Sequence, residues 1–433
     1  MTAGLAADRL PYAALVIDWS ALEHAYGPAE DVPQLLAAIT AGVEPAAGEA
    51  VSELFTLLYH QGGTYSATEA ALPALVDLAL TGLAYRPEII AFLGSLARED
   101  HTHPLIGAHQ DRLIDLLDDP DAEVREPAAW LLADYGGKTL IRRLTERYQT
   151  EPDPTVRASL LRAVGEADEE RGSELATDAL EAPDPAPHLR IAAALVLAQA
   201  NGELPENATE AVASAYTDGD PLEGVWSWEG DSVGQLLQSL DEPEALFAGL
   251  ARSRSADIRM SVAYALSDAL GNDPDTDERL VRLLGPLLTD SDRSVRLAAV
   301  HAARRAGRAA SAVVDGLAAA AEPIAHGDAP ELDEARNALE VLIRTGDPRW
   351  RPLLIAAWEH GSTHDCTADV VGEASACGDT ALVAAARARI AMIDAGRADG
   401  RVRFHRAASP STERRAIERL LTSWGESLDP PPA

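Results

Sequence analysis

The sequence predicts an all-α solenoid, a superhelical array of antiparallel helix pairs. Three observations predict it. A short helix-start motif recurs along most of the 433 residues at intervals suited to a two-helix unit. Apolar residues fall on one stripe of each recurring helix. Composition also favours helix: Ala and Leu dominate, aromatics are only 5%, and hydrophobic residues reach 47%, enough for a continuous core.

The motif is an acidic turn, an apolar residue, an arginine and then an Ala-rich amphipathic helix. It reads DDPDAEVREPAAWLLADYG at 118–136, EPDPTVRASLLRAVGEA at 151–167 and DPAPHLRIAAALVLAQA at 184–200. Later copies are SADIRMSVAYALSDAL at 255–270, DSDRSVRLAAVHAARRAG at 290–307 and DAPELDEARNALEVLIRTG at 328–346. The marker arginines are Arg125, Arg157, Arg190, Arg259, Arg296 and Arg336. Most spacings are roughly 32 to 40 residues, one helix pair. The double-length step from Arg190 to Arg259 holds a degenerate unit around DGDPLEGVWSWEGDSVGQLLQSL. A weakened unit without the arginine follows at 360–378.

Register supports the reading. Three residues after each marker stand Ala128, Leu160, Ala193, Val262, Ala299 and Leu339; seven after stand Leu132, Val164, Leu197, Leu266, Ala303 and Ile343. With the apolar residues at one before and six after, these positions share one helix face, which must be buried against neighbouring units. The opposite face carries no constant residue type. Five after the marker come Trp130, Arg162, Leu195, Tyr264, His301 and Val341; nine after come Asp134, Glu166, Gln199, Asp268, Arg305 and Thr345. Such a face is free of packing constraint, so it can be shaped for a partner or it can drift.

The pattern D-x-x-V-R followed by an Ala/Leu helix resembles the second helix of HEAT repeats, including those of phycobilisome-lyase-type proteins. The resemblance covers roughly residues 106–380. It implies that second helices line a concave side, and that each marker arginine pairs with turn acids of neighbouring units such as Asp121 and Asp153. Residues 1–105 form an off-consensus helical cap region, in which Ser66 and Glu69 are expected to make a capping box. Its segments WSALEHAYGPAEDVPQLL (19–36) and HQGGTYSAT (60–68) resemble the N-terminal part of a group of actinobacterial HEAT proteins. Residues 381–433 comprise a helix, an Arg-rich linker and a tail. Here AGRADGRVRFHRAASPST reads as flexible and STERRAIERLLTSWGE as one terminal helix, with few contacts expected across the linker.

Four features could carry chemistry, each with a plainer reading beside it. Glu99, Asp100, His101, His103, His109 and Asp111 could hold zinc, but they straddle an expected loop. His360 and His364 with Cys366 could do the same, yet Gly361, Ser362 and Thr363 break the helix that four-residue spacing requires. The run His60-Gln61-Gly62-Gly63-Thr64-Tyr65 could cradle an anion at a helix start; a tight turn between two helices explains it better. Trp226 and Trp228, in an acidic insertion, are either interface anchors or plugs for the gap left by the degenerate unit.

Other signals bound the function. No G-x-S-x-G, H-E-x-x-H, Rossmann or Walker pattern occurs. Cys366 and Cys377, if on one helix, lie about 16 Å apart, too far for a disulfide, which suits a reducing compartment. No apolar run approaches membrane length, and the first residues lack a basic leader pattern, so a cytoplasmic location is expected. The formal net charge of −34 disfavours duplex nucleic acid and favours basic proteins.

Together these features predict a non-enzymatic protein-interaction scaffold with no metal or cofactor. A sharper version is an inhibitor or immunity-type protein for a basic toxin or nuclease. The expected partner-binding residues are Trp130, Asp134, Arg162, Glu166, Leu195, Tyr264, Asp268 and His301, with Trp226 and Trp228 of the insertion. The competing expectation is a metal- or small-molecule-binding HEAT-fold enzyme with its site near His101 or His360.

Overall fold

Asp, Pro and Gly set where the helices begin and end. Asp121, Asp153, Asp168 and Asp292 each cap a helix by accepting backbone N–H groups of its first turn. The computed structural model describes residues 17–426 apart from 83, 184, 206–207, 229–230, 273–277, 327–331, 361–379 and 400–409. The weakened unit at 360–378, with His364, Cys366 and Cys377, therefore lies outside the described residues.

The chain divides into two compact units, one of residues up to 215 with 220–232 and 239–241, the other of 216–219, 233–238 and 242 onward. The first opens with two short hairpins, β1 (Glu23–His24) with β2 (Gly27–Pro28), and β3 (Tyr59–His60) with β4 (Gly63–Thr64). Around them lie α1 (Val32–Ala41), α2 (Ala46–Leu58), α3 (Ser66–Ala79) and α4 (Arg86–Ala97). The short α5 (His103–Gly107) and α6 (Gln110–Leu113) lead to α7 (Ala122–Ala133), α8 (Lys138–Thr150) and α9 (Pro154–Ala167). Then come α10 (Glu169–Glu181), α11 (Pro187–Asn201) and α12 (Ala208–Ala215). Within this unit α4, α7, α9 and α11 pack side by side in chain order, while α8 lies against α9, and α10 against both α9 and α11. That is the layering of an α-solenoid.

After α13 (Ser232–Ser239), the second unit runs through α14 (Glu244–Leu250), α15 (Ala256–Asn272), α16 (Glu278–Arg282), α17 (Leu284–Leu288) and α18 (Arg293–Arg305). It continues with α19 (Val314–Ala321), α20 (Pro323–His326), α21 (Leu332–Thr345), α22 (Trp350–His360), α23 (Thr380–Asp399) and α24 (Pro410–Ser423). Here α15, α18 and α21 stack in order, with α17 on α18 and α19 on α21.

The predicted core stripe is buried throughout. Ala128, Leu160, Ala193, Val262, Ala299 and Leu339 are all sealed from solvent, as are Leu132, Val164, Leu197, Leu266, Ala303 and Ile343. Helices approach most closely where α9 and α10 cross: a Cβ on Gly172 would overlap the Cα of Gly165, and one on Gly165 would stand 3.0 Å from Val196 Cγ1. Glycine is there for contact rather than flexibility.

The marker arginines do tie neighbouring repeats, but not to the acids expected. Arg125 pairs with Glu151, Arg259 with Asp290 and Arg296 with Glu334, each through two guanidinium nitrogens. Asp121 and Asp153 are helix caps instead, with their carboxylates turned to their own first turns. In two of these pairs the acid sits two residues before the cap and also accepts the cap residue's N–H, Glu151 from Asp153 at 3.0 Å and Asp290 from Asp292 at 2.8 Å, whereas Glu334 lies in the first turn of α21. The device also occurs upstream of the expected array, where Arg86 meets Asp119 at 2.8 Å and Asp119 accepts the N–H of Asp121.

Two local expectations fail for steric reasons. Ser66 does not cap α3, because its hydroxyl accepts the N–H of Glu23 on β1. Thr68 takes that role, accepting the N–H of Tyr65 at 2.9 Å and donating to Leu58 O. At the other end, STERRAIERLLTS is no loose appendage: Ala416, Ile417, Leu420 and Leu421 are buried, α24 packs on α23, and buried Arg389 holds Glu413 at 2.9 Å.

Candidate partner-binding face

In the first unit the variable face of the stacked helices is built from a chain of opposite charges. Arg98, near the end of α4, reaches Asp134 at 3.5 Å and Glu166 at 3.8 Å. Glu166 also accepts from Arg162 at 2.8 Å, one turn earlier on α9. The structure thus brings Asp134, Arg162 and Glu166 together, through an arginine outside the recurring motif. Beside them lies a small cleft of about 90 Å³, lined by Arg162, Glu166, Glu169, Val196 and Gln199 among others.

Trp130 is not a free aromatic on this face. It is 3% exposed, its ring lying over Gly94 of α4 where any Cβ would collide. The Arg98 guanidinium covers the ring 4.4 Å from its centroid. Leu195 is likewise buried, within a stretch of α11 sealed from Ile191 to Ala198. Both sites were expected to be open because the helix was considered alone. Lateral packing in the stack covers more of each helix than one stripe.

The insertion explains part of that cover. Residues Trp226–Trp228 form a single 3-10 turn placed against α7 and α9. Buried Glu126 of α7 accepts from Ser227 twice, from the backbone N–H at 3.1 Å and from the hydroxyl at 2.5 Å, and from Ser159 of α9 at 2.8 Å. Trp228 is 4% exposed, and its indole N–H donates to Ser159 Oγ at 3.2 Å. Arg162 completes the clamp, donating to Ser227 O at 2.5 Å with its guanidinium 5.0 Å from the Trp228 ring centroid. Trp228 is therefore a plug rather than an exposed anchor. The Trp226 side chain lies outside what the structure describes.

The second unit leaves the equivalent face open. Tyr264 of α15 is 50% exposed and Leu297 of α18 is 38% exposed. Asp268 and His301 are exposed beside them in sequence register, whereas Val341 of α21 is buried. No neighbouring aromatic or insertion residue covers Tyr264 among the described contacts.

In the first histidine cluster the side chains take separate partners. His103 donates from Nδ1 to Ala97 O at 2.8 Å and stacks on Tyr135, while Glu99 accepts from Tyr59 OH at 2.8 Å. Among the described residues no group of three or more His, Cys, Asp or Glu is placed to hold a metal ion. The run after His60 is a tight turn between α2 and α3, closed as a two-residue hairpin loop: Gln61 at φ 51° and Gly62 at φ 76° are the left-handed pair such loops need.

Residues 85–165, which hold α4 through most of α9, match the family model of HEAT repeats. This stretch is a run of HEAT repeats. The matched HEAT segment includes the Arg86–Asp119 and Arg125–Glu151 pairs, Trp130, Asp134 and most of the buried polar clamp. Across 92% of the chain the fold is similar to an engineered protein from a structural genomics consortium, at 19% identity over 99% of that chain with a TM-score of 0.35. It is also similar to importin beta, at 13% identity over 92% of this chain and 65% of that one, with a TM-score of 0.34. Comparison with curated proteins found no match.

Sequence reasoning missed Arg98, Glu126, Ser159 and Ser227. The available signal was faint: Glu126 and Ser159 are polar residues set into otherwise apolar helix runs. A buried polar residue needs a partner. Sequence could not say that the partner lay 69 or 101 residues further on.

Proposed function

We propose that this chain is a non-enzymatic interaction scaffold that recognises a basic protein. Its sharper form is an inhibitor or immunity-type protein acting on a basic toxin or nuclease. One observation carries the reading: several arginines of the repeats are held inside by carboxylates, while other acids stand exposed. Arg125, Arg259, Arg296 and Arg389 are held by carboxylates between repeats or helices, while Glu49, Glu53, Glu170 and Asp178 stand exposed. Each such pair removes one charge of either sign, so the formal excess of −34 stays with the remaining groups. HEAT-type stacks suit this role because they present long faces whose residues are free of core packing.

In the Arg-rich C-terminal stretch, among the described residues, Arg387 lies on Glu426, Arg389 on Glu413 and Arg414 on Asp394. No helix among the described residues is long and apolar enough to cross a membrane. A cytoplasmic, nucleic-acid-free role follows as part of the same proposal.

The test is association kinetics against matched basic and acidic proteins across salt. A basic partner should associate several-fold more slowly at about 1 M than at about 0.1 M salt, where the Debye length falls from about 10 to about 3 Å, with dissociation changing less. Equal binding of acidic partners, or tight duplex DNA binding that survives deletion of 387–419, would overturn the reading.

A further inference from the structure

The two N-terminal segments singled out in the sequence, 19–36 and 60–68, meet in space. Ala25 donates its N–H to Leu57 O at 3.0 Å, Ser66 accepts from Glu23, and Tyr26 OH lies 3.5 Å from His60 Nδ1. Inside the first hairpin His24 is 7% exposed, accepting the Tyr26 N–H at Nδ1 and donating from Nε2 to Asp31 at 3.1 Å. These contacts fix the hairpin tip. They leave the Tyr26 ring standing out, 65% exposed, although nothing in the core requires a large aromatic there.

Beside that ring runs an open groove of about 740 Å³, lined by Tyr26, Glu49, Ser52, Glu53, Thr56 and Leu57. Glu49, Ser52, Glu53 and Thr56 lie at i, i+3, i+4 and i+7 on α2, so one exposed helix face forms the whole wall. Neither Glu49 nor Glu53 has an ion-pair partner among the described residues, unlike most carboxylates around the repeat ladder. Gly48 leaves room for the Tyr85 hydroxyl, which donates to Glu44 at 2.5 Å; that bond, with Glu44 and Glu88 nearby, pushes the Tyr85 phenol above its ordinary range. One oxygen of Glu88 is buried without a donor.

We propose that this groove docks a basic segment of the partner protein, an arginine or lysine side chain lying on the Tyr26 ring between the carboxylates of Glu49 and Glu53. Charge complementarity selects the occupant: two like-charged carboxylates one turn apart repel until a cation lies between them, and a tyrosine face adds cation–π attraction. The inference rests on the basic-partner reading and gives it a location.

The experiment measures binding of a fluorescent peptide of alternating Arg and Gly at about 0.15 M salt, where only close charges contribute strongly. The full-length chain is compared with Tyr26→Ala/Glu49→Gln/Glu53→Gln and with Glu174→Gln/Asp178→Asn, which removes the same charge from the exposed face of α10. All the changed side chains are exposed, and circular dichroism confirms that both variants fold. The groove variant is expected to bind about tenfold more weakly, as for loss of interface anchor residues, and the α10 variant less than about twofold. Equal losses in both would overturn the groove while leaving the basic-partner reading intact. No binding by the unaltered chain would overturn both. A concentration-dependent dimer abolished by Tyr26→Ala, or peptide binding seen only after removal of residues 1–16, would assign the groove to this chain itself and also overturn the proposal.

Discussion

Arg125 grips Glu151 with two nitrogens, Nε to Oε2 at 2.9 Å and Nη2 to Oε1 at 2.7 Å, while its Nη1 donates to the carbonyls of Asp119 and Pro120. The Glu151 side chain is fully buried and also receives Arg147 and the N–H of Asp153. One carboxylate therefore joins α7, the end of α8 and the start of α9. Arg125, Arg259 and Arg296 perform this closure, whereas Arg157 lies over the Tyr148 ring, 5.0 Å from its centroid.

Glu151 should accordingly outweigh Asp153 in stability. Glu151→Ala leaves a buried guanidinium uncompensated and is expected to cost about 3–5 kcal/mol. Asp153→Ala removes only a helix cap, at about 1 kcal/mol. Urea denaturation of both variants checks this, and equal costs would return the pairing role to the turn aspartates.

The same pairs fix an acid limb of stability. Burial by itself would raise the Glu151 and Asp290 carboxyls, but hydrogen bonds from Arg125 and from Arg259, the N–H groups of Asp153 and Asp292 and the arginine charges together outweigh it and hold both below the usual carboxylate range. A depressed folded pKa contributes stability that is complete above the unfolded value, about 4. It is lost as pH falls through the folded value. Stability should drop more steeply below about pH 4 in the unaltered chain than in Glu151→Gln/Asp290→Asn, measured by denaturation at stepped pH.

Trp130 and Tyr264 occupy the same register position and should respond oppositely to truncation. Trp130→Ala empties the space above Gly94 and should cost about 3–5 kcal/mol. Tyr264→Ala is a surface change expected to stay within about 0.5 kcal/mol. Thermal melts of the two variants separate them.

Ser159 and Trp228 should be energetically coupled across the 69 residues between them. A double-mutant cycle of Ser159→Ala and Trp228→Phe is expected to show about 0.5–3 kcal/mol of interaction, as for groups in one buried network. A coupling near zero would mean that the plug packs without its polar clamp.

Gly172→Ala should destabilise by about 1–3 kcal/mol despite alanine's better helix propensity, because the added methyl meets the α9 backbone at Gly165. A neutral or stabilising effect in a melt would show that α9 and α10 can slide apart there.

The sequence by itself determined the recurring helices and the buried stripe. Those follow from local rules: an Asp before a first turn satisfies free N–H groups, and a period near 3.6 puts Ala128 and Leu132 on one side. It also located the open positions Tyr264, Asp268 and His301, where α15 and α18 meet no further cover. Tertiary structure decided the rest. Whether Trp130, Leu195 or Trp228 sees solvent depends on what the stack and the 226–228 turn lay over them. The pairing acid became Glu151 rather than Asp153 because Asp153 turns its carboxylate into α9, leaving Glu151 within reach of Arg125. The two short hairpins are local, but contacts across dozens of residues, Ala25 N–H to Leu57 O and Glu23 N–H to Ser66 Oγ, set Tyr26 beside Glu49 and Glu53. Local periodicity fixes which side of a helix is apolar. Which remote segment covers the other side is set by packing geometry, which one-dimensional pattern does not carry.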